Sequence, residues 1–248
     1  MSWLLWLGCA GRLDPAAVSE TWSVDDKDLV RIELVEALVE AESYDRALHA
    51  LGVLRQEGLD DARLDLAQAR ALIGQGLPSE AVALLEDIRR SPAQQAVLGL
   101  ARFDAGDPAG AAEAFDHAVR KGDAGVPRSE LYNNLGFSLA AAGEHAEALE
   151  AYRQALLLDA SMVRARNNQG FSLAALERDD EALAAFRLAA SGHPLGEAGE
   201  QADAQYNLGL ARLARGDAAG ARVAFTAALA FHPDHERAVA ALAQLESP

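Results

Sequence analysis

The second half of the chain repeats itself, and that constrains the fold more than any other feature. The segment Leu131-Tyr132-Asn133-Asn134-Leu135-Gly136-Phe137-Ser138-Leu139-Ala140 returns as Ala165-Arg166-Asn167-Asn168-Gln169-Gly170-Phe171-Ser172-Leu173-Ala174, 34 residues later. The stretch that follows repeats at the same offset, pairing Ala148 with Ala182, Tyr152 with Phe186 and Ala155 with Ala189. A third copy holds Tyr206, Asn207, Leu208 and Gly209, then Ala221, Phe225, Ala228 and Pro233. Weaker copies lie upstream in the same register. They contain Leu98-Gly99 with Ala111, Phe115 and Ala118; Ala69 with Gly76, Ala81, Leu85 and Ile88; and Leu34 with Leu38, Tyr44, Ala47, Leu51 and Leu54. The anchor alanines 47, 81, 111, 148, 182 and 221 are separated by 34, 30, 37, 34 and 39 residues. A fixed period of this size means stacked supersecondary units, each too small to bury its apolar face alone. The units are helical: Ala, Leu, Glu, Gln and Arg dominate and are strong helix formers, and the alternating Val, Ile and Thr runs of strands are missing.

The period and the pattern of Gly136, Ala148, Tyr152 and Pro233 resemble the tetratricopeptide repeat (TPR) family. The resemblance implies an all-α, right-handed α-solenoid of about six TPR helix pairs plus a C-terminal capping helix. Six units span residues 28–234, and 235–248 form the capping helix and tail. Small residues at Gly136 and Ala148 allow close approach of paired helices, and Tyr152 is expected to fill the space between neighbouring units. Gly143 sits in a turn where φ > 0 is needed, while Pro194 and Pro233 stop second helices. The longest step holds an insertion, Ser191 to Glu200, expected as a loop on one rim.

The family implies function through its first helices, whose second, fifth, sixth, ninth, twelfth and thirteenth positions line a concave face. Counting from Ser129, Val163 and Ala202, the sixth position is Asn134, Asn168 and Asn207. Asn133, Asn167 and Tyr206 take the fifth position, Phe137, Phe171 and Leu210 the ninth, and Arg164 the second of its unit. An amide offers two donors and an acceptor, so this set is similar to the asparagine ladder that clasps peptide backbones in peptide-binding members. It predicts a groove of amide rungs and apolar pockets for an extended or helical partner segment. A second reading keeps the asparagines bonded to one another across adjacent helices. The first three units carry Glu33, Ala67 and Val97 at the sixth position, so any ladder belongs to the C-terminal half. The family's carboxylate clamp needs lysines, and only Lys27 and Lys121 occur.

The N-terminus reads separately. Trp3-Leu4-Leu5-Trp6-Leu7-Gly8-Cys9 resembles the end of a bacterial lipoprotein signal peptide, with Cys9 as the lipid-attachment site. It lacks a charged n-region, and its apolar stretch is short for such a signal. Residues 1–11 are thus read as a signal remnant with the lipidation site, and residues 12–27, with Pro15, Ser19, Thr21 and Ser23, as a flexible tether. A disordered tail or a helix fragment is the other reading. With Cys9 acylated, the protein is a membrane-anchored lipoprotein of the cell envelope facing the periplasm. It is then similar to the repeat lipoproteins that assist type IV or Tad-type pilus and secretin assembly. Without it, a soluble cytoplasmic adaptor or regulator is expected.

Chemistry is hard to find. Cys9 is the single cysteine, so no intrachain disulfide and no multi-cysteine metal site can form. The histidines 49, 117, 145, 193, 232 and 235 match no metal-binding spacing, and there is no phosphate loop or nucleophile elbow. No cofactor is implied. Asp25-Asp26 and Asp179-Asp180 read as helix-start and turn residues. A net charge of −16 disfavours nucleic acid as a ligand, and no apolar run reaches the length of about 18 residues needed for a membrane span. The expectation is a non-enzymatic scaffold whose partner is a protein or peptide segment.

Overall fold

A computed structural model describes residues 24–86, 91–122, 125–191 and 198–246. Thirteen α-helices, and no strand, occur among them. Cys9, most of the expected tether, Ile88, His193 and Pro194 lie outside the described residues. The chain divides into two compact units. The first comprises residues 1–89 with 100–105, the second 90–99 with 106–248.

The first unit contains α1 (Val24–Glu40), α2 (Tyr44–Gln56), α3 (Ala62–Gly74) and α4 (Pro78–Glu86). Helix α1 starts inside the stretch expected as a tether and extends the first repeat by a turn. Asp25 and Asp26 fall in that turn. Ile32, Val35, Val39, Ala47, Leu51, Leu54 and Leu64 form one buried cluster. Asp61 caps α3 by accepting a hydrogen bond from the Arg63 backbone N–H at 2.8 Å.

Helix α5 (Pro92–Asp104) contributes to both units; its first residues belong to the second. Ser91 and Gln94 form a reciprocal capping box at its start, with N–H···O distances of 2.9 and 3.2 Å. The second unit continues through α6 (Pro108–Lys121), α7 (Arg128–Ala141), α8 (His145–Leu158), α9 (Val163–Ala175), α10 (Asp179–Ala190), α11 (Ala198–Ala214), α12 (Ala218–Phe231) and α13 (Glu236–Glu246). Each helix packs on the next from α6 onward, and the first helices also meet one another, α7 with α9 and α9 with α11. This is an α-solenoid of about six helix pairs closed by one C-terminal helix.

The six anchor alanines are all buried. The glycines at the eighth position explain why the pairs close so tightly. A Cβ on Gly99, Gly136, Gly170 or Gly209 would stand 2.8, 2.6, 2.6 or 2.3 Å from the ring of Phe115, Tyr152, Phe186 or Phe225 respectively. Each aromatic therefore lies flat against the glycine of its own helix pair. Tyr152 fills space within its pair, against Gly136, and its hydroxyl end lies beside Ser172 of the following repeat, so it also acts between units as expected. Burial pushes the Tyr152 phenol well above its usual value, with Ser172 offsetting part of the effect.

The turn inside each pair demands a left-handed residue. Gly76, Gly106, Gly143 and Gly216 supply it with φ between +77° and +88°. Glu177 takes the same place in the fifth repeat at φ +59°, and Glu42 in the first at +54°.

Candidate functional site

The first helices α7, α9 and α11 carry the expected site residues in rows, one per position of the repeat. Their repeat spacing makes equivalent residues neighbours.

The row at position two is a chain of charges. The Arg164 guanidinium donates to Glu130 Oε1 at 2.8 Å and to Glu200 Oε1 at 2.7 Å. It is thus tied to carboxylates on both sides rather than presented alone. In the last repeat Asp203 accepts from Arg237 of α13 and lies 3.2 Å from His235 Nε2. His235 Nδ1 accepts the Ala238 backbone N–H at 3.1 Å, which leaves Nε2 as the nitrogen facing Asp203. The Arg237 guanidinium lies 5.0 Å above the Tyr206 ring, and the His235 ring is 5.3 Å from it. Tyr206, expected at the groove, is therefore covered by the capping helix.

The asparagines form a second row. Asn133 is 1 % exposed and Asn207 5 %, while Asn134, Asn167 and Asn168 are half-buried. Asn168 Nδ2 donates to Asn133 Oδ1 at 3.3 Å, and Asn207 Nδ2 to Asn167 Oδ1 at 3.1 Å. Asn168 and Asn207, at the sixth position, thus each reach the fifth-position amide of the preceding repeat. Asn133 Nδ2 in turn donates to Asn134 Oδ1 at 3.4 Å. The amides are bonded to one another along three helices.

The ninth position differs. Phe137, Phe171 and Leu210 are 38, 48 and 40 % exposed. Phe171 sits edge-on to Phe186 with ring centroids 5.2 Å apart, which fixes its orientation while leaving one face in solvent. The next rows, Ala140 and Ala141, Ala174 and Ala175, Leu213 and Ala214, carry no charge. Beyond them the turns hold Glu144, Glu177 and Asp179, all exposed.

Sequence reasoning identified the asparagines, the ninth-position residues and Arg164, but missed Glu130, Asp203, His235 and Arg237. A signal for them exists: Glu130 and Arg164 are 34 residues apart, as are Asp203 and Arg237, and each pair has opposite signs. Among the described residues no group of three His, Cys, Asp or Glu could hold a metal ion. No described helix is long and apolar enough to cross a membrane.

Tetratricopeptide-repeat family models match residues 32–96, 129–161 and 203–235, more than half of the chain. A search of curated protein sequences finds no significant match. Among solved structures, YrrB, described as a TPR protein with an unusual peptide-binding site, is 25% identical over 77% of this chain and 97% of its own, with a TM-score of 0.55. PilF of Pseudomonas aeruginosa is 17% identical over 89% of this chain and 98% of its own, with a TM-score of 0.67. MamA of Desulfovibrio magneticus RS-1 is 18% identical over 72% and 98%, with a TM-score of 0.59. The helix pairs, their glycine–aromatic contacts and these matches together make the chain a member of the tetratricopeptide-repeat family.

Proposed function

We propose that this protein is a non-catalytic adaptor that holds a segment of a partner protein on the face formed by α7, α9 and α11. The observation that carries the reading is the exposure of Phe137, Phe171 and Leu210 at one equivalent position of three successive helices. Large apolar side chains are rarely left aligned in solvent unless a partner covers them. Similarity to YrrB, itself a peptide binder, supports a peptide-like occupant.

A photo-cross-linking residue placed at 171 tests this in cells. One polypeptide should be trapped there and not from a cross-linker at Val223 on α12, which is also exposed. Equal trapping at both sites, or none at 171, refutes the reading.

The cellular setting follows from Cys9. Its position after Leu7-Gly8, and its being the single cysteine, support acylation and an envelope-anchored role in pilus or secretion assembly. A soluble cytoplasmic adaptor is the alternative. Full-length protein should then fractionate with membranes, and Cys9→Ser should release it. A wild-type protein that is wholly soluble and unmodified favours the cytoplasmic adaptor.

A further inference from the structure

We infer that the segment held on this face is an amphipathic α-helix with basic residues along one side of its apolar stripe. This rests on the adaptor reading above and adds the conformation and charge of the occupant.

The first argument is spacing. Packed helices lie about 8–10 Å apart, so Phe137, Phe171 and Leu210 recur at about that interval. A helix laid across them rises 1.5 Å per residue and returns the same face every seven residues, roughly 10.5 Å. Apolar residues at i, i+7 and i+14 therefore meet the three in turn. A strand covers about 10 Å in three residues, and its side chains alternate faces, so successive contacts would point opposite ways.

The second argument is hydrogen bonding. An extended segment brings backbone N–H and C=O groups that need partners when buried. The nearest candidates are the asparagine amides, and Asn168 and Asn207 already donate to Asn133 and Asn167. An extended occupant must compete with those bonds. A helix satisfies its own backbone and asks only for an apolar floor, which the ninth row and the uncharged alanines behind it provide.

The third argument is charge. Rows nine, twelve and thirteen of α7, α9 and α11 contain no charged residue, in a protein of net charge −16. The turns bordering that strip place Glu144, Glu177 and Asp179 in solvent, and no ion pair holds any of the three among the described residues. The opposite border is different: Glu130 and Glu200 share the Arg164 guanidinium, which leaves one net negative charge there. The turn side offers three carboxylates outside any ion pair, so complementary residues on the helix are basic and lie on that side.

The experiment uses the full chain and a synthetic fluorescein-labelled 18-residue helical peptide as probe. The peptide has leucines at i, i+3, i+7, i+10 and i+14 and lysines along one flank. Its counterparts replace every lysine with glutamate, or place two prolines in its middle. Anisotropy titrations at low salt should show binding of the basic helix, and binding at least tenfold weaker for both counterparts. Phe137→Ser with Phe171→Ser should weaken it by roughly a hundredfold, as expected for central apolar anchors. Glu144→Gln, Glu177→Gln and Asp179→Asn together should weaken it roughly tenfold, for three modest screened pairs. The same change of charge elsewhere, at Glu113→Gln, Asp234→Asn and Glu236→Gln, should leave it within twofold. Circular dichroism confirms that each variant remains helical.

No binding of the basic helix, equal binding of the acidic or proline-broken peptide, or equal weakening by the distant charge changes each overturns the inference. Trapping of a partner at position 171 in cells, with any of those results, leaves the adaptor reading standing and removes the basic helix.

Discussion

Two mid-helix glycines give the packing argument a numerical test. Gly52 lies within α2, where an added Cβ meets nothing within 4 Å. Gly209 lies within α11, where the same Cβ would stand 2.3 Å from a ring carbon of Phe225, a fully buried side chain. Alanine is more favourable than glycine in a helix interior by about 0.8–1.0 kcal/mol. Gly52→Ala should therefore stabilise its helix by close to 1 kcal/mol. Gly209→Ala gains the same helix term but must displace the Phe225 ring, and overpacking of this kind costs about 1–3 kcal/mol. The net result is a loss of about 0–2 kcal/mol, and the gap between the two variants isolates the packing cost. Repeat arrays can unfold in parts, so hydrogen exchange in a urea series, read by mass spectrometry on peptides from α2 and from α12, is the appropriate assay. A double-mutant cycle with Phe225→Leu should show that the smaller side chain relieves at least 1 kcal/mol of the Gly209→Ala cost. If Gly209→Ala stabilises as much as Gly52→Ala, or shows no coupling to Phe225, the account of how these helix pairs close is wrong.

Other expectations follow from single sites. Gln201 is buried, and neither its Nε2 nor its Oε1 has a hydrogen-bond partner among the described residues. The equivalent residue of the preceding repeat is the buried Met162, so Gln201→Met should raise stability by about 1–2 kcal/mol in urea unfolding. Glu177 holds φ +59° where four sister turns use glycine. Relief of that left-handed strain, less the added freedom of glycine in the unfolded chain, should make Glu177→Gly stabilising by about 0.5–1 kcal/mol, read as a raised Tm. The Glu150 carboxyl accepts hydrogen bonds from Arg153 at 2.8 and 2.6 Å and from Gln154 at 2.9 Å, which hold its pKa down at about 2. Its contribution is present above the ordinary glutamate range and is lost as the pH falls toward 2. An NMR titration should find the midpoint near that value, and Arg153→Ala should return it to the ordinary range.

The parts of the fold legible in the sequence are those set by one residue at a time. Gly143 announces its turn because only glycine adopts φ +88° freely. The alanines at 47, 81, 111, 148, 182 and 221 announce close helix contact because nothing larger fits, and all are buried. The partner of each aromatic was harder to place. Tyr152 stands 16 residues after Gly136, and only the packed pair shows that its ring lies on that glycine as well as reaching the next repeat. The asparagines show a second kind of limit. Their period places Asn134, Asn168 and Asn207 on one face, but whether an amide points to a ligand or to a neighbour depends on the sideways distance between helices. The Asn207–Asn167 contact spans 40 residues across the longest repeat step, so sequence offset alone does not pair them. The start of α1 was misjudged for a simpler reason: the four residues before Asp28 lack the apolar periodicity that marks a helix.

The rows of α7, α9 and α11 also explain why binding would fall where it does along each helix. At position two every charge is already met by an opposite one, through Arg164 or through Arg237. Opening the Arg164 pairs leaves half-buried charges uncompensated and is costly. At positions five and six the amides are spent on the neighbouring repeat. Both rows act like stitching that fixes the rotation of one helix pair on the next, and a ligand that used them would loosen the array it binds to. The ninth row is apolar, and Phe171 rests edge-on against Phe186. Apolar contact is non-directional and roughly additive in area, so a partner can cover Phe137, Phe171 and Leu210 without disturbing a single hydrogen bond of the seam. A binding surface separated in this way from the stitching can change its partner by substitution at the ninth position while the solenoid stays intact.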